Sequence, residues 1–233
     1  MSDDQTPNAT GLAAVSLFHG LSVSEIESVS GRCRWQRFVR DQQIVNAEDA
    51  TEDVHFIVSG TVRAEVYSVS GRAVTFRDLG PGDIFGELSA IDHKPRSANV
   101  LALNDVTVAS VSATQFWQLI QDYPAIAEAT LQRLTSLVRS LSDRVVEFST
   151  LAVRNRIHAE LLRLARDHLQ SDNSALIAPS PTHAEISARI STHREAVSRE
   201  LSELARSGIV ERRQSGLFIS DIEQLTRLLE DLD

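Results

Sequence analysis

Phe85-Gly86-Glu87-Leu88-Ser89-Ala90-Ile91-Asp92-His93-Lys94-Pro95-Arg96-Ser97-Ala98 sets a turn glycine, an acid and a lone arginine beside a serine within strand-rich sequence. Gly86 carries no Cβ, so its backbone N–H can approach a ligand closely. Glu87 to Ala90 is placed to form a helical turn with free N–H groups at its start. Arg96 presents a planar fork of donors that matches phosphate oxygens. A carboxylate repels phosphate, so the expected partner of Glu87 is a hydroxyl such as a ribose 2′-OH. The stretch reads as an anion pocket that holds phosphate and sugar with different side chains. The plain alternative is a solvated loop in which Glu87 and Arg96 merely pair.

Around this stretch, from Arg34 to Val111, the pattern is one of short β-runs: Val54 to Val58, Thr61 to Val69, Ala73 to Leu79 and Val106 to Val111. Ser59-Gly60, Ser70-Gly71 and Gly80-Pro81-Gly82-Asp83 supply the turns. Short strands without intervening helices predict an antiparallel sandwich or jelly roll. Upstream, Leu12 to Ser28 reads as helical, with Ser22 or Ser24 available to cap the turn carrying Glu25.

The opening stretch closely resembles the phosphate-binding cassette of the cyclic-nucleotide-binding fold, in which Phe-Gly-Glu-Leu and a later Pro-Arg-Ser-Ala recur. The resemblance implies a cyclic-nucleotide-binding β-roll over 12–112, with Phe85, Gly86, Glu87, Leu88, Arg96 and Ser97 in its pocket.

A helical stretch starts near Ala113, breaks at Tyr123-Pro124 and runs on to about Phe148. Leu131, Leu134, Val138, Leu141, Val145 and Phe148 alternate three and four apart, an a/d stripe with charged flanks that suits a two-fold homodimer through 131–148. Packing on its own domain is the alternative for such a stripe. The segment 113–149 is read as dimerisation helix and hinge, and 150–233 as the C-terminal domain.

There, a helix from about Arg154 to His168 precedes a polar loop, Gln170 to Ser174. Thr182-His183-Ala184-Glu185 has the capping-box pattern, repeated in Thr192-His193-Arg194-Glu195. Two helices starting so close together read as a helix-turn-helix. Gly208 ends the second helix, and the strands flanking Arg213-Gln214-Ser215-Gly216 read as the wing of a winged helix. A short helix over Ile222 to Leu232 closes the chain. At 100° per residue, Arg194, Glu195 and Arg199 share the face opposite Val197, Leu201 and Leu204 and can enter a major groove together. Arginine bridges guanine O6 and N7 while glutamate accepts from cytosine N4, favouring G·C pairs. Thr182, His183, His193 and Ser198 complete the expected DNA-facing set. An exposed helix with a Glu195–Arg199 ion pair is the alternative.

Arg194-Glu195-x-x-x-Arg199 in this frame resembles the recognition helix of the cyclic AMP receptor and fumarate–nitrate regulator family of bacterial transcription factors, and the likeness extends from about Leu17 to Leu229. It implies an α+β chain of roll, dimer helix and winged helix, a TGTGA-type palindromic operator, a dimer helix passing over the nucleotide pocket, and RNA polymerase as a further partner. It also implies a base-reading pair on the dimer helix. Where the cyclic AMP receptors usually have Thr-Ser, this chain has Leu141-Ser142. Leu141 cannot hydrogen-bond adenine, whereas Ser142 can donate as well as accept, so cyclic GMP becomes an acceptable effector beside cyclic AMP. A regulator of this architecture answering to haem or another effector, or acting without ligand, is the alternative. Ser191 replaces the glycine usual in the helix-turn-helix turn and is expected to strain it.

Composition agrees with a globular chain. Of 233 residues, 42% are hydrophobic and 24% charged, without an apolar run long enough to span a membrane, which predicts a cytoplasmic protein with no membrane partner. The single cysteine, Cys33, excludes an internal disulfide or a multi-cysteine cluster. No histidine and acid spacing suits a metal, and no nucleophile–base pair suits an enzyme such as a phosphodiesterase. The net charge of −9 argues against indiscriminate polyanion binding, yet Ala152 to Arg213 carries ten basic and eight acidic residues, a net +2.

Overall fold

The computed structural model describes residues 9–68 and 71–230. Three helical pieces open the chain: α1 (Ala9–Ala13), a 3₁₀ turn (Ser16–Phe18) and α2 (Val23–Arg32). The single helix expected over Leu12 to Ser28 is therefore interrupted. Ser22 forms a capping box with Glu25, starting α2 afresh.

The roll follows: β1 (Arg34–Phe38), β2 (Gln43–Val45), β3 (Val54–Ser59), β4 (Val62–Tyr67), β5 (Ala73–Leu79), β6 (Ile84–Phe85), α3 (Glu87–Asp92), β7 (Asn99–Ala102) and β8 (Val106–Val111). They form two four-stranded sheets, in the orders β1-β8-β3-β6 and β2-β7-β4-β5. The strand expected to reach Val69 ends at Tyr67. Val69 and Ser70, with the turn placed there, lie outside the described residues. One core cluster joins Val45, Ile57, Val62, Leu79, Phe85, Val100 and Val108 inside the roll. A second packs Phe18, Val29, Phe56, Ile84 and Val111 against Phe116 and Leu119 of α4 (Ala113–Asp122) and Ile126 of α5 (Pro124–Thr150). The break between α4 and α5 falls at Tyr123, the residue before proline, as expected.

The chain divides into two units, one ending at Val138 inside α5 and the other comprising Arg139 onward together with Ser68–Val74. Beyond α5, two residues separate it from α6 (Val153–Ala165), and β9 (Ala175–Ile177), α7 (His183–Arg189), α8 (Arg194–Arg206), β10 (Val210–Arg213), β11 (Gly216–Ile219) and α9 (Ile222–Glu230) follow. The sheet order β10-β11-β9 adds an unforeseen third strand to the wing hairpin. Ile157, Leu161, Ile177, Ile186, Val197, Leu204, Ile219 and Leu225 share one core. No helix among the described residues is long and apolar enough to cross a membrane.

Candidate functional site

The cassette turns at Gly86, whose φ of +89° favours glycine and whose backbone starts α3. A Cβ there would lie 2.5 Å from both Arg96 Nη1 and the Asp53 carbonyl oxygen. Space as well as conformation therefore requires glycine. Arg96 is 3% exposed, and its guanidinium donates from Nε to Thr51 Oγ1 (2.9 Å), from Nη1 to the Gly86 carbonyl (3.2 Å) and from Nη2 to the Asp53 carbonyl (2.9 Å). Arginine has five N–H donors, so one hydrogen on each Nη atom remains for a further acceptor. Burial lowers the pKa of Arg96, while the charges of Asp53, Asp49, Glu52 and Glu87 oppose that shift.

Phe85 lies beneath the cassette, stacked on His55 with ring centroids 4.6 Å apart. Nδ1 of His55 is 2.8 Å from Ser110 Oγ. Burial, followed by the positive charge of Arg96, pushes the imidazole pKa down to about 4, leaving the ring neutral at neutral pH. Leu88 and Ser97 are exposed at the surface of the cassette.

Glu87 is 4% exposed, so the plain reading of a solvated side chain fails for it. Its Oε1 lies 3.6 Å from Nε of Arg133 on α5. The same guanidinium donates from Nη1 to Asp83 Oδ1 (3.3 Å) and from Nη2 to the Ile84 carbonyl (2.5 Å). Glu87 and Arg96 thus have separate partners, and the second plain alternative, a pair between them, is not formed. From the sequence, Arg133 was visible only as a charged flank of the apolar stripe. A second periodicity, Ile126-Thr130-Arg133-Leu137, marks the face that Ile126 and Thr130 bury, and that signal would have found it. Leu141 and Ser142 lie farther along α5 and are both exposed.

The stripe itself is open. Leu131, Val138, Leu141, Val145 and Phe148 are 66%, 63%, 48%, 64% and 38% exposed in the isolated chain. Near its end α5 is tied to α6. Glu160, 1% exposed, receives Arg144 Nη1 (3.0 Å) and Arg163, while Arg163 also donates to Glu147 (2.6 Å).

In the second unit, Thr182 caps α7 in a complete box with Glu185, so its hydroxyl is engaged in the fold. The second expected box, Thr192 with Glu195, is not formed. Thr192 is 7% exposed, and α8 starts one residue later, from His193, whose side chain makes no capping bond. Glu195 is consequently released from a capping role. Ser191 adopts φ +50°, the strained turn expected of a residue standing in for glycine. Arg194, Glu195 and Arg199 are exposed on one face of α8 and make no hydrogen bond or ion pair with a described residue; the Glu195–Arg199 pair is absent. Ser198 is half-buried between them, and His183 is the half-buried first residue of α7. Opposite, Val197 and Leu204 are buried, and Glu200 accepts from His158 Nε2 (2.6 Å) and Arg154 Nε (3.1 Å), bracing α8 on α6.

Comparison with known proteins follows the same division. The cyclic nucleotide-binding domain model matches residues 35–123, and the Crp-like helix-turn-helix domain model matches residues 155–228. The CRP-like cAMP-activated global transcriptional regulator of Mycobacterium tuberculosis is 27% identical over 217 residues, covering 93% of this chain and 97% of that protein. The cyclic AMP receptor protein of Thermus thermophilus is 29% identical over 194 residues, covering 83% of this chain and 87% of that protein. Among solved structures, a CooA variant from Carboxydothermus hydrogenoformans superposes with a TM-score of 0.76 at 21% identity, over 87% of this chain and 90% of that one.

Proposed function

Because the chain is a member of the Crp/Fnr family of transcription regulators, and so a DNA-binding regulator and not an enzyme, we propose that it is a homodimer gated by a cyclic nucleotide, cyclic AMP or cyclic GMP. The observation that carries this reading is the pairing of two sites in one chain. One is a buried cassette whose Arg96 keeps a hydrogen on each Nη for an anion, and the other is a recognition helix whose Arg194, Glu195 and Arg199 have no partner among the described residues.

The phosphate is taken by Arg96 with Ser97, a ribose hydroxyl by Glu87, and the base is met by Leu141 and Ser142 on α5. Arg194 and Arg199 donate to guanine edges and Glu195 accepts from a cytosine amine in each half of a palindromic, TGTGA-like operator. Two recognition helices related by the dimer two-fold require half-sites about one helical turn apart. The ligand acts by binding the DNA-competent arrangement more tightly than the other, since equal affinity shifts nothing. The ion pairs of Arg144 with Glu160 and of Glu147 with Arg163 make the end of α5 and the second half of α6 respond together.

The test is operator binding by the full chain against added cyclic AMP and cyclic GMP at one stated salt concentration. Nucleotide-dependent binding that is lost in Arg96→Ala is the expected result. Nucleotide-responsive binding that survives in that variant refutes the assignment of the pocket.

A further inference from the structure

Phe148 is the last residue of the open stripe on α5, yet its ring is not given wholly to that stripe. The guanidinium carbons of Arg144 and Arg156 lie over it, 5.1 and 5.3 Å from the ring centroid. An aromatic face attracts a cation, so the ring helps to fix where each guanidinium rests. Arg144 stands one turn earlier on α5, and Arg156 belongs to the first turn of α6. Both reach the same place. Arg144 Nη2 donates to the Arg189 carbonyl, and Arg156 Nη1 donates to the Ile190 carbonyl (3.1 Å). Arg189 is the last residue of α7 and Ile190 its C-cap. The final carbonyls of a helix lack partners within it and carry the negative end of its dipole, so two cations suit this end. The buried Nε of Arg156 has no hydrogen-bond partner among the described residues, which leaves the ring face to compensate that part of its charge. Ser191 follows at φ +50°, and after Thr192 and His193 the recognition helix begins. Every residue in this series of contacts belongs to the second unit.

We propose that Phe148 is a positioning residue that carries the packing of the dimer seam to the helix-turn-helix turn. The ring is 38% exposed on the stripe, where a second copy of the chain can cover it. Arg144 and Arg156 hold the same ring and carry its position to the two carbonyls before the turn. One side chain therefore belongs to both the seam and the turn. When the two α5 helices shift against each other the ring moves, the guanidinia follow it, and the start of α8 is locked or released. The coupling runs through contacts that touch one another at every step. The ion pair of Arg144 with Glu160 ties α5 to α6 but does not itself reach the turn; the bond to the Arg189 carbonyl does. The inference rests on the reading of the chain as a nucleotide-gated homodimer and names the residues through which the gate acts.

Phe148→Leu keeps an apolar side chain on the seam and removes the ring face, whereas Phe148→Tyr keeps both. Two readouts on the full chain test the role, at protein concentrations well above the dimer Kd so that dissociation does not contribute. The first is operator affinity with and without cyclic AMP or cyclic GMP at one salt concentration. The gain that nucleotide brings should be roughly tenfold smaller in Phe148→Leu, the worth of two half-exposed cation–π contacts, and Phe148→Tyr should restore it. The second is amide hydrogen exchange over residues 190–193 without nucleotide or DNA, which should quicken several-fold in Phe148→Leu and not in Phe148→Tyr. Arg156→Met loses both the ring and the Ile190 carbonyl, so it should show the same losses, and these should not add to those of Phe148→Leu; it carries the test if the leucine variant does not fold. An undiminished gain in Phe148→Leu, unchanged exchange at the turn, or a tyrosine variant as impaired as the leucine one each overturn the role of Phe148. If the unaltered chain shows no response to nucleotide, the gated reading fails, while the exchange readout still upholds or overturns the hold of Phe148 on the turn.

Discussion

Replacing Val138 and Val145 together by alanine should dissociate the proposed dimer. Both lie one heptad apart on the open stripe of α5, 63% and 64% exposed in the single chain. Truncating valine to alanine removes two carbons, worth about 1.6 kcal/mol for a side chain wholly buried. Scaled by the fraction left for a partner to cover, roughly 1 kcal/mol is at stake at each position. The two-fold repeats both positions, so the variant should lose about 4 kcal/mol of association, a weakening of Kd of roughly a thousandfold. Alanine is the best helix former, so α5 itself should remain intact. Val146, 59% exposed but off the stripe, supplies the control, and Val146→Ala should change Kd little. Sedimentation equilibrium across a wide concentration range measures both variants, with circular dichroism to confirm helix content. A Kd unchanged by the double substitution, or an equal loss from Val146→Ala, would refute the stripe as the seam.

Acid should destabilise the roll through His55. Its pKa of about 4 lies below the ordinary 6.5, so the unfolded chain binds the extra proton first. The stabilising contribution is complete above pH 6.5 and is lost as pH falls toward 4, about 2 kcal/mol of it by pH 5. Denaturant unfolding at a series of pH values should show a flatter acid limb for His55→Gln than for the unaltered chain, and identical limbs would remove His55 as the cause. Gly86→Ala should cost about 1–3 kcal/mol from backbone conformation alone and also abolish nucleotide binding, because the new methyl collides with Arg96 and the Asp53 carbonyl; an unchanged melting temperature contradicts this. Glu200→Ala strips His158, 1% exposed, of its carboxylate and should destabilise the second unit by about 3 kcal/mol, read by its melting transition.

Features set by neighbours in sequence were legible from the residues alone. The strand over Ala73–Leu79, the strand over Val106–Val111, the capping box at Thr182 and the helix break before Pro124 all occur where pattern places them. Their causes act within a few residues: alternation, turn glycines, a hydroxyl three residues before an acid. The strands β2, β7 and β9 were missed because three or four residues carry too little alternation to read, and β1, Arg-Trp-Gln-Arg-Phe, is half polar. Each becomes a strand by pairing with a distant partner, as β1 does with β8. The box expected at Thr192 failed for a related reason. Thr192 N donates to the Ser187 carbonyl in the turn and its side chain is buried, which delays the helix start by one residue.

For the candidate site, the sequence determined the residue types and the order in which they appear. Gly86, Glu87, Arg96 and Ser97 share one short cassette, and Arg194, Glu195 and Arg199 share one helix face. Tertiary structure decided which of their charges remain uncommitted. It set Arg133 against Glu87 and Asp83 and spent three of the Arg96 donors on Thr51, Gly86 and Asp53. Local pattern cannot show this, because the partners are 43 to 50 residues apart in the chain for the contacts of Arg96 with Thr51 and Asp53 and of Arg133 with Asp83. Whether a buried charge is satisfied depends on the atoms the fold gathers around it.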